Sequence, residues 1–316
     1  MENYRKLIKF GTSSYVVSLP NEWIKKNNLK KGDSLFINES LNSELIFTPK
    51  PISEDVQNRE LVISVDGKDI SRVKREIVSA YINNYDIIKI QGNVSKYGRE
   101  IRDAIKNLMA LEIIDERSNE IIAKDYLDLK DVTFDEIIRK IDTITKSMMG
   151  DAKTFGNEKL HENIAERDEQ INRLVYLIIR TLRFTLDNPG RANKKNILRM
   201  TPILNVWDVS LNIEKVADDI KRSARHFYKI RSKTKVLQSL IEILADMEKF
   251  YWETMKAYYN CDVEKAFSLS SQKRKLSERC NQLHEKHWGE KYVPTILENF
   301  KNMISSIHNI GRRIYS

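Results

Sequence analysis

The sequence predicts a multidomain α+β chain: a short β-rich opening, a small α/β domain, and an all-α C-terminal half of tandem three-helix bundles. Three observations predict it. Residues 1–51 hold short β-prone runs between turn formers, residues 60–130 alternate strand and helix patterns, and the chain beyond 133 carries long apolar stripes at helical spacing that occur twice. The clearest stripe is Val206, Val209, Ile213, Val216, Ile220, Ala224 and Phe227, which recur at three- and four-residue steps and so line one side of a helix. Phe300, Met303, Ile307, Ile310 and Ile314 repeat the first five of these positions without a gap. Upstream, Ile137, Ile138, Ile141, Ile144 and Met148 keep step with Leu240, Ile241, Leu244, Met247 and Tyr251. A repeat this long exceeds a solenoid module and suits two copies of a small bundle.

At 316 residues the chain has room for two or three domains and a sizeable core. Hydrophobic residues make up 41%, and no run approaches the roughly 18 apolar residues of a membrane span. The opening MENYRKLIKFG has no apolar signal core, so a soluble, cytoplasmic protein is expected. Cys261 and Cys280 lack metal-site spacing and read as reduced thiols. A net charge of +9 favours an anionic partner, whether nucleic acid, membrane surface or acidic protein, and does not choose among them.

In residues 1–51, runs at 5–10 and 15–19 flank the turn formers Gly11, Thr12, Ser13 and Ser14. Pro20 suits a first helical position, residues 21–27 supply one or two helical turns, and Lys31-Gly32-Asp33 is a turn before strands at 34–38 and 44–48. Fifty residues of this kind have too little core to stand alone, and dimerisation would mend that. Residues 49–59 read as a linker. The α/β domain at 60–130 follows: a strand at 60–65, a helix striped by Ile70, Val73, Ile77 and Tyr81, a strand at 86–91, a helix striped by Ile101, Ile105 and Leu108, and a strand pair at 112–115 and 120–123. Gly92 and Gly98 stand alone, so no phosphate loop is legible and the domain reads as a structural or dimerising spacer.

In the helical half, Thr133 with Glu136 three residues on forms a capping-box pattern. Helices are expected at 133–155, 157–186 and 195–229 in the first unit, 133–229, and at 234–260, 262–286 and 295–315 in the second, 234–316. Breaks fall at residues 187–190 and around Trp288, Gly289 and Pro294. Glu214 and Asp218 lie four apart on one helix face, away from the apolar stripe, with Lys215, Lys221 and Arg222 placed to offset their repulsion. By spacing alone this is a charged solvent face. His161, His226, His284 and His287 show no convergence, and the aromatic run Phe250, Tyr251, Trp252, Tyr258 and Tyr259 reads as packing. With no Ser-His-Asp or Cys-His arrangement and no nucleotide loop, an enzyme is disfavoured.

The stretch RKLIKFGTSSYVVSLPNEWIKKNNLKKGDSLFI resembles the swapped-hairpin, AbrB-like DNA-binding domain: a basic first strand, a Gly/Ser turn, an apolar strand ending in Leu-Pro, a one-turn helix and a Leu-x-x-Gly-Asp turn. The resemblance implies that two chains interlace hairpins into one β-barrel and present paired basic strands to duplex DNA. Arg5, Lys6, Lys9, Lys25 and Lys26, with Lys30 and Lys31, would neutralise phosphates, and Thr12, Ser13 and Ser14 would donate hydrogen bonds.

The stretch NIEKVADDIKRSA resembles the helix carrying the E/D-x-x-x-D motif of PhoU-type phosphate-uptake regulators, and ERDEQINRLVYLIIRTL resembles that family's preceding helix. With the AbrB-like head and α/β spacer, the chain resembles the archaeal type of PhoU-like regulator. The resemblance implies a divalent metal or iron held by Glu214 and Asp218, with Asp208, Glu166 and Asp168 as helpers. In the second repeat the aligned positions hold His308 and Arg312, a departure that removes a cation site and leaves Arg312 to pair with an acidic group or an anion. Two functions follow: a dimeric DNA-binding regulator of phosphate homeostasis with a helical sensor, or an adaptor that docks on a phosphate transporter ATPase while its head only dimerises. A metal-responsive regulator outside phosphate physiology is a third reading.

Overall fold

The structure is a computed structural model that describes residues 4–39, 45–49, 59–154, 158–188, 193, 196, 203–227, 229–230 and 235–315. Most of the expected linker, residues 189–190 of the expected break and most of the first turns of the helix expected at 195–229 lie outside them. The chain divides into two compact units, Met1–Gln57 and Asn58–Ser316.

In the first unit, β1 (Ile8–Phe10) pairs antiparallel with β2 (Ser14–Val16), with Ile8 opposite Val16 and Phe10 opposite Ser14. The tight reversal needs Gly11, whose φ of 71° is open to glycine at no steric cost. Helix α1 (Asn21–Lys26) begins after Pro20, carries Glu22 in its first turn and Lys25 and Lys26 in its last, and so matches the helix dipole at both ends. Asn27 closes it by donating from Nδ2 to the Trp23 carbonyl at 2.8 Å. The Asp33 carboxylate then accepts from the Lys30 amide at 2.6 Å and shapes the turn at Gly32. Strands β3 (Phe36–Glu39) and β4 (Leu45–Thr48) form a second antiparallel hairpin. The two hairpins are separate two-stranded sheets. The barrel implied for two interlaced chains is not closed by one, because four short strands in two ribbons leave each apolar face uncovered.

The second unit opens with β5 (Glu60–Ser64), α2 (Ile70–Ile82), β6 (Ile87–Gln91), α3 (Gly98–Lys106), β7 (Leu111–Arg117) and β8 (Glu120–Asp125). The sheet order is β5-β6-β8-β7, with β5 and β6 parallel through the α2 crossover and the remaining pairs antiparallel. Asp69 caps α2 by accepting from the Arg72 amide at 2.9 Å. Val73, Ile77 and Tyr81 of α2 and Ile101 and Ile105 of α3 bury against Ile63, Ile88, Ile90 and Ile121, which is the core the sequence stripes predict.

Among the described residues six long helices follow: α4 (Phe134–Ala152), α5 (Glu158–Asp187), α6 (Ile203–Phe227), α7 (Lys235–Asn260), α8 (Val263–His287) and α9 (Val293–Arg312). All seven residues of the α6 stripe are buried, as are Phe300, Met303, Ile307 and Ile310 of α9; Ile314 lies past the end of α9 and is half-buried. Each such side chain contributes about 1.5–3 kcal/mol by leaving water. Helices α6 and α9 share the most extensive helix contact in the molecule, with Phe227 and Phe300 ring centroids 6.0 Å apart. One continuous apolar core takes in side chains from α4 through α9, so the two repeats pack into each other.

The capping box expected at Thr133 does not form: Thr133 is the N-cap residue, but its side chain makes no cap bond. Asn196 does that work, accepting from the Phe134 amide at 3.1 Å and donating to the Val132 carbonyl at 2.8 Å. Pro294 sits inside the first turn of α9, where its missing N–H costs nothing, and α9 therefore starts two residues before the expected 295. No helix among the described residues is long and apolar enough to cross a membrane.

Candidate nucleic-acid interface and carboxylate face

In the first unit, Lys9 lies at the centre of β1 opposite Tyr15, Arg5 and Lys6 precede the strand, Thr12 and Ser13 form the hairpin turn, and Ser14 opens β2. Lys25 and Lys26 close α1. All eight side chains are exposed, and among the described residues none of the five cations is paired with a carboxylate. Alternation along β1 puts Lys9 on the face opposite Ile8 and Phe10. Apolar side chains are equally exposed: Leu7 and Phe10 at 69%, Ile37 at 57%, with Ile8, Tyr15, Val16, Phe36 and Leu45 alongside. No described residue of this unit is buried.

The second charged region is centred on α6. Asp218 accepts from Lys221 Nζ at 2.9 Å through one oxygen and from the Arg222 guanidinium at 2.5 Å through the other. Lys221 Nζ also lies 2.5 Å from Oδ2 of Asp168, a buried residue of α5 whose second oxygen has neither solvent nor a hydrogen-bond partner. Burial works against the Lys221 charge, but hydrogen bonds to Asp168 and Asp218 outweigh it and hold its pKa above the usual lysine value. Glu214 is half-buried, and burial first, then the charges of Asp218 and Asp168, push its carboxyl pKa up. Its charge also reaches Tyr176 of α5, which packs against the core of the α/β region.

The structure thus brings Glu214, Asp218 and Asp168 together and leaves the other expected helpers out. Glu166 is exposed, and Asp208 is taken by Arg313 at 2.6 Å. Among the described residues no group of three or more His, Cys, Asp or Glu side chains is arranged to hold a metal ion. The arrangement as it stands does not fit one, since the Lys221 ammonium occupies the position between Asp168 and Asp218 that a bound cation would take.

Sequence spacing missed Asp219. It is buried on α6, and burial raises its carboxyl pKa to about 7, against the pull of Arg222 at 3.8 Å and with the push of Asp218 and Glu214. The only signal was its place between Val216 and Ile220, at the edge of the apolar stripe. In the second repeat His308 is half-buried and Arg312 exposed on α9. Of the remaining histidines, His226 stacks on Tyr292 at 5.4 Å and His287 Nδ1 meets Glu290 at 2.6 Å, so the His284 and His287 pair is not a chelate. Both cysteines are free thiols; Cys280 is buried, which pushes its pKa up to about 11.

Taken together, the described residues form a small basic strand unit, an α/β sheet and a mostly helical region. Residues 8–53 match the family model for "Antidote-toxin recognition MazE, bacterial antitoxin". Among solved structures the chain is similar to PhoU from Pseudomonas aeruginosa, at 14% identity and a TM-score of 0.47, with 57% of this chain and 90% of that chain covered. No curated protein matches the chain.

Proposed function

We propose that the chain is a DNA-binding transcriptional regulator of phosphate uptake, dimeric through its first unit, with the helical region as sensor. One observation carries this reading: the head exposes Leu7, Phe10, Ile37 and their neighbours beside unpaired cations. A domain of this size cannot bury enough of its own surface, and a second copy interlacing its hairpins covers the apolar set. The same two-fold pairing sets Arg5, Lys6 and Lys9 beside their copies, with Thr12, Ser13 and Ser14 at the tips, which suits the phosphates of a duplex. The antitoxin-type family match over residues 8–53 supports the class of the head. The resemblance of residues 166–182 and 212–224 to PhoU helices supports phosphate status as the input. Regulation then requires that an effector favour one arrangement of the helical region over another.

A gel-shift titration against the chain's own upstream DNA tests the reading. With about six phosphate contacts, affinity falls about a thousandfold between roughly 50 and 200 mM salt. Replacing Lys6 and Lys9 with Glu abolishes binding. No complex at low salt overturns the proposal and leaves the adaptor role at a transporter ATPase, with the head only dimerising.

A further inference from the structure

The aromatic run of α7 divides in the fold. Phe250 and Tyr251 are buried, as packing requires, whereas Trp252 and Tyr259 line a groove of about 670 Å³ between α7 and α4. Arg139, Asp142 and Lys146 face it from α4, and Lys256 joins the two rings on α7. On each helix these positions recur at three- and four-residue steps, so each set shares one side. The floor of the groove is a carboxylate: Asp142 is 4% exposed, and its Oδ2 accepts from Lys146 Nζ at 2.8 Å and from the Tyr259 hydroxyl at 3.0 Å. Its Oδ1 is closed to solvent, so the carboxylate holds its neighbours and does not itself face a ligand. Burial, then the Asp142 charge, pushes the Tyr259 pKa up, and the hydroxyl therefore stays protonated and keeps donating.

What remains open to the groove is aromatic and cationic. Trp252 is 52% exposed although Lys146 Nζ lies 5.2 Å from its ring centroid, and the Arg139 guanidinium lies 4.3 Å over the Tyr259 ring. Lys256 is exposed and closes no ion pair among the described residues. The other carboxylate lining the groove, Glu253, is bound by Lys265 at 2.7 Å, which holds its pKa below the usual glutamate value. Both acids are thus engaged, and the surface left for a ligand pairs ring faces with positive charge.

We infer that this groove binds a nucleoside polyphosphate, with the base against Trp252 and the phosphates on Arg139, Lys146 and Lys256. Its volume falls in the range of small-molecule sites and exceeds what a single phosphate needs. Arg139 and Lys146 are seven residues apart, about 10 Å along α4, and each head is held over a ring, a span that suits a chain of phosphates rather than one. The arginine offers a planar fork to phosphate oxygens and the lysines point charges. A purine supplies the flat face that a half-exposed indole stacks on, and such stacking is indifferent to the exact base. The inference takes nothing from the DNA-binding reading.

The test is calorimetric titration of the full chain with ATP, tripolyphosphate and adenosine. ATP binds at least about tenfold more tightly than tripolyphosphate, and adenosine more weakly than ATP. Trp252→Ala lowers ATP affinity about tenfold and leaves tripolyphosphate affinity unchanged, whereas Arg139→Met and Lys256→Met each lower both about tenfold. Trp288→Ala, which removes an exposed tryptophan from outside the groove, changes neither. A parent that does not bind ATP, equal affinity for ATP and tripolyphosphate, or a Trp252→Ala variant that binds ATP as the parent does overturns the inference. A chain that shifts DNA but does not bind ATP sinks this inference alone, and one that binds ATP but shifts no DNA sinks the DNA-binding reading alone.

Discussion

Arg180 and Asp125 form a buried ion pair that joins α5 of the helical region to the last strand of the α/β sheet. The guanidinium also donates to Asn84 Oδ1 at 3.1 Å and lies 4.4 Å over the Tyr81 ring, whose hydroxyl donates to the Met109 carbonyl at 3.1 Å. Arg183, one turn-face on, meets Asn83. Strand and helix are therefore clamped through charge as well as packing.

Arg180→Leu leaves the Asp125 carboxylate buried and unpaired, which costs about 3–5 kcal/mol. Urea unfolding followed by circular dichroism reads the loss. Adding Asp125→Leu recovers most of it, since an apolar pair of similar bulk carries no stranded charge; a double variant no better than the single rules this account out.

Lys221→Met strips the lysine counter-charge from Asp168 and leaves Asp218 with Arg222 alone. Stability at neutral pH falls by about 3 kcal/mol, because Asp168 is already short of one partner. Manganese added to this variant restores much of the lost Tm by taking the vacated position, whereas it shifts the parent little. A variant blind to manganese means that these oxygens are not placed to ligate a cation.

Asp219 makes stability depend on pH. Its folded pKa, about 7, lies above the ordinary aspartate value of 3.8, so the folded state holds the proton more tightly. Its stabilising contribution is full below the unfolded pKa and is lost as pH rises through about 7. Asp219→Asn, which never ionises, is therefore more stable than the parent at pH above that value, by about 2 kcal/mol, with the gap closing towards acid. Paired denaturation curves across pH read it, and a gap independent of pH contradicts the assignment.

The exposed apolar set of the head predicts assembly. Phe10→Asp with Ile37→Asp puts charges where a second copy would pack, and light scattering on the full chain then reports monomers where the parent is a dimer. A parent already monomeric removes the basis for a two-fold head.

Asn196→Ala removes the cap of α4 and costs about 1 kcal/mol, while Thr133→Ala costs less, reversing the order that the local sequence pattern implies.

That reversal shows where sequence reasoning ran out. Periodicity recovered the stripes of α2, α6 and α9, because one buried face leaves its spacing in the chain whatever the partner is. Thr133 with Glu136 carried a valid local signal that lost to a tertiary one, since Asn196 arrives from 62 residues away. Lys221 is a similar case: its spacing to Asp218 was legible, but its bond to Asp168, 53 residues distant, depends on how α5 packs on α6. Asp219 has the residue type of a surface position and the location of a buried one, and only packing tells them apart. The head's order of strands, turn and helix was readable because Gly11, Pro20 and Gly32 fix local backbone geometry.

The seam between α6 and α9 has a consequence for how such a chain can change. With the inward sides of the duplicated helices committed to each other, neither copy is free to vary there without unsettling its twin. Their outward sides carry no such obligation, so one copy carries Glu214 and Asp218 where the other carries His308 and Arg312 while the shared core is kept.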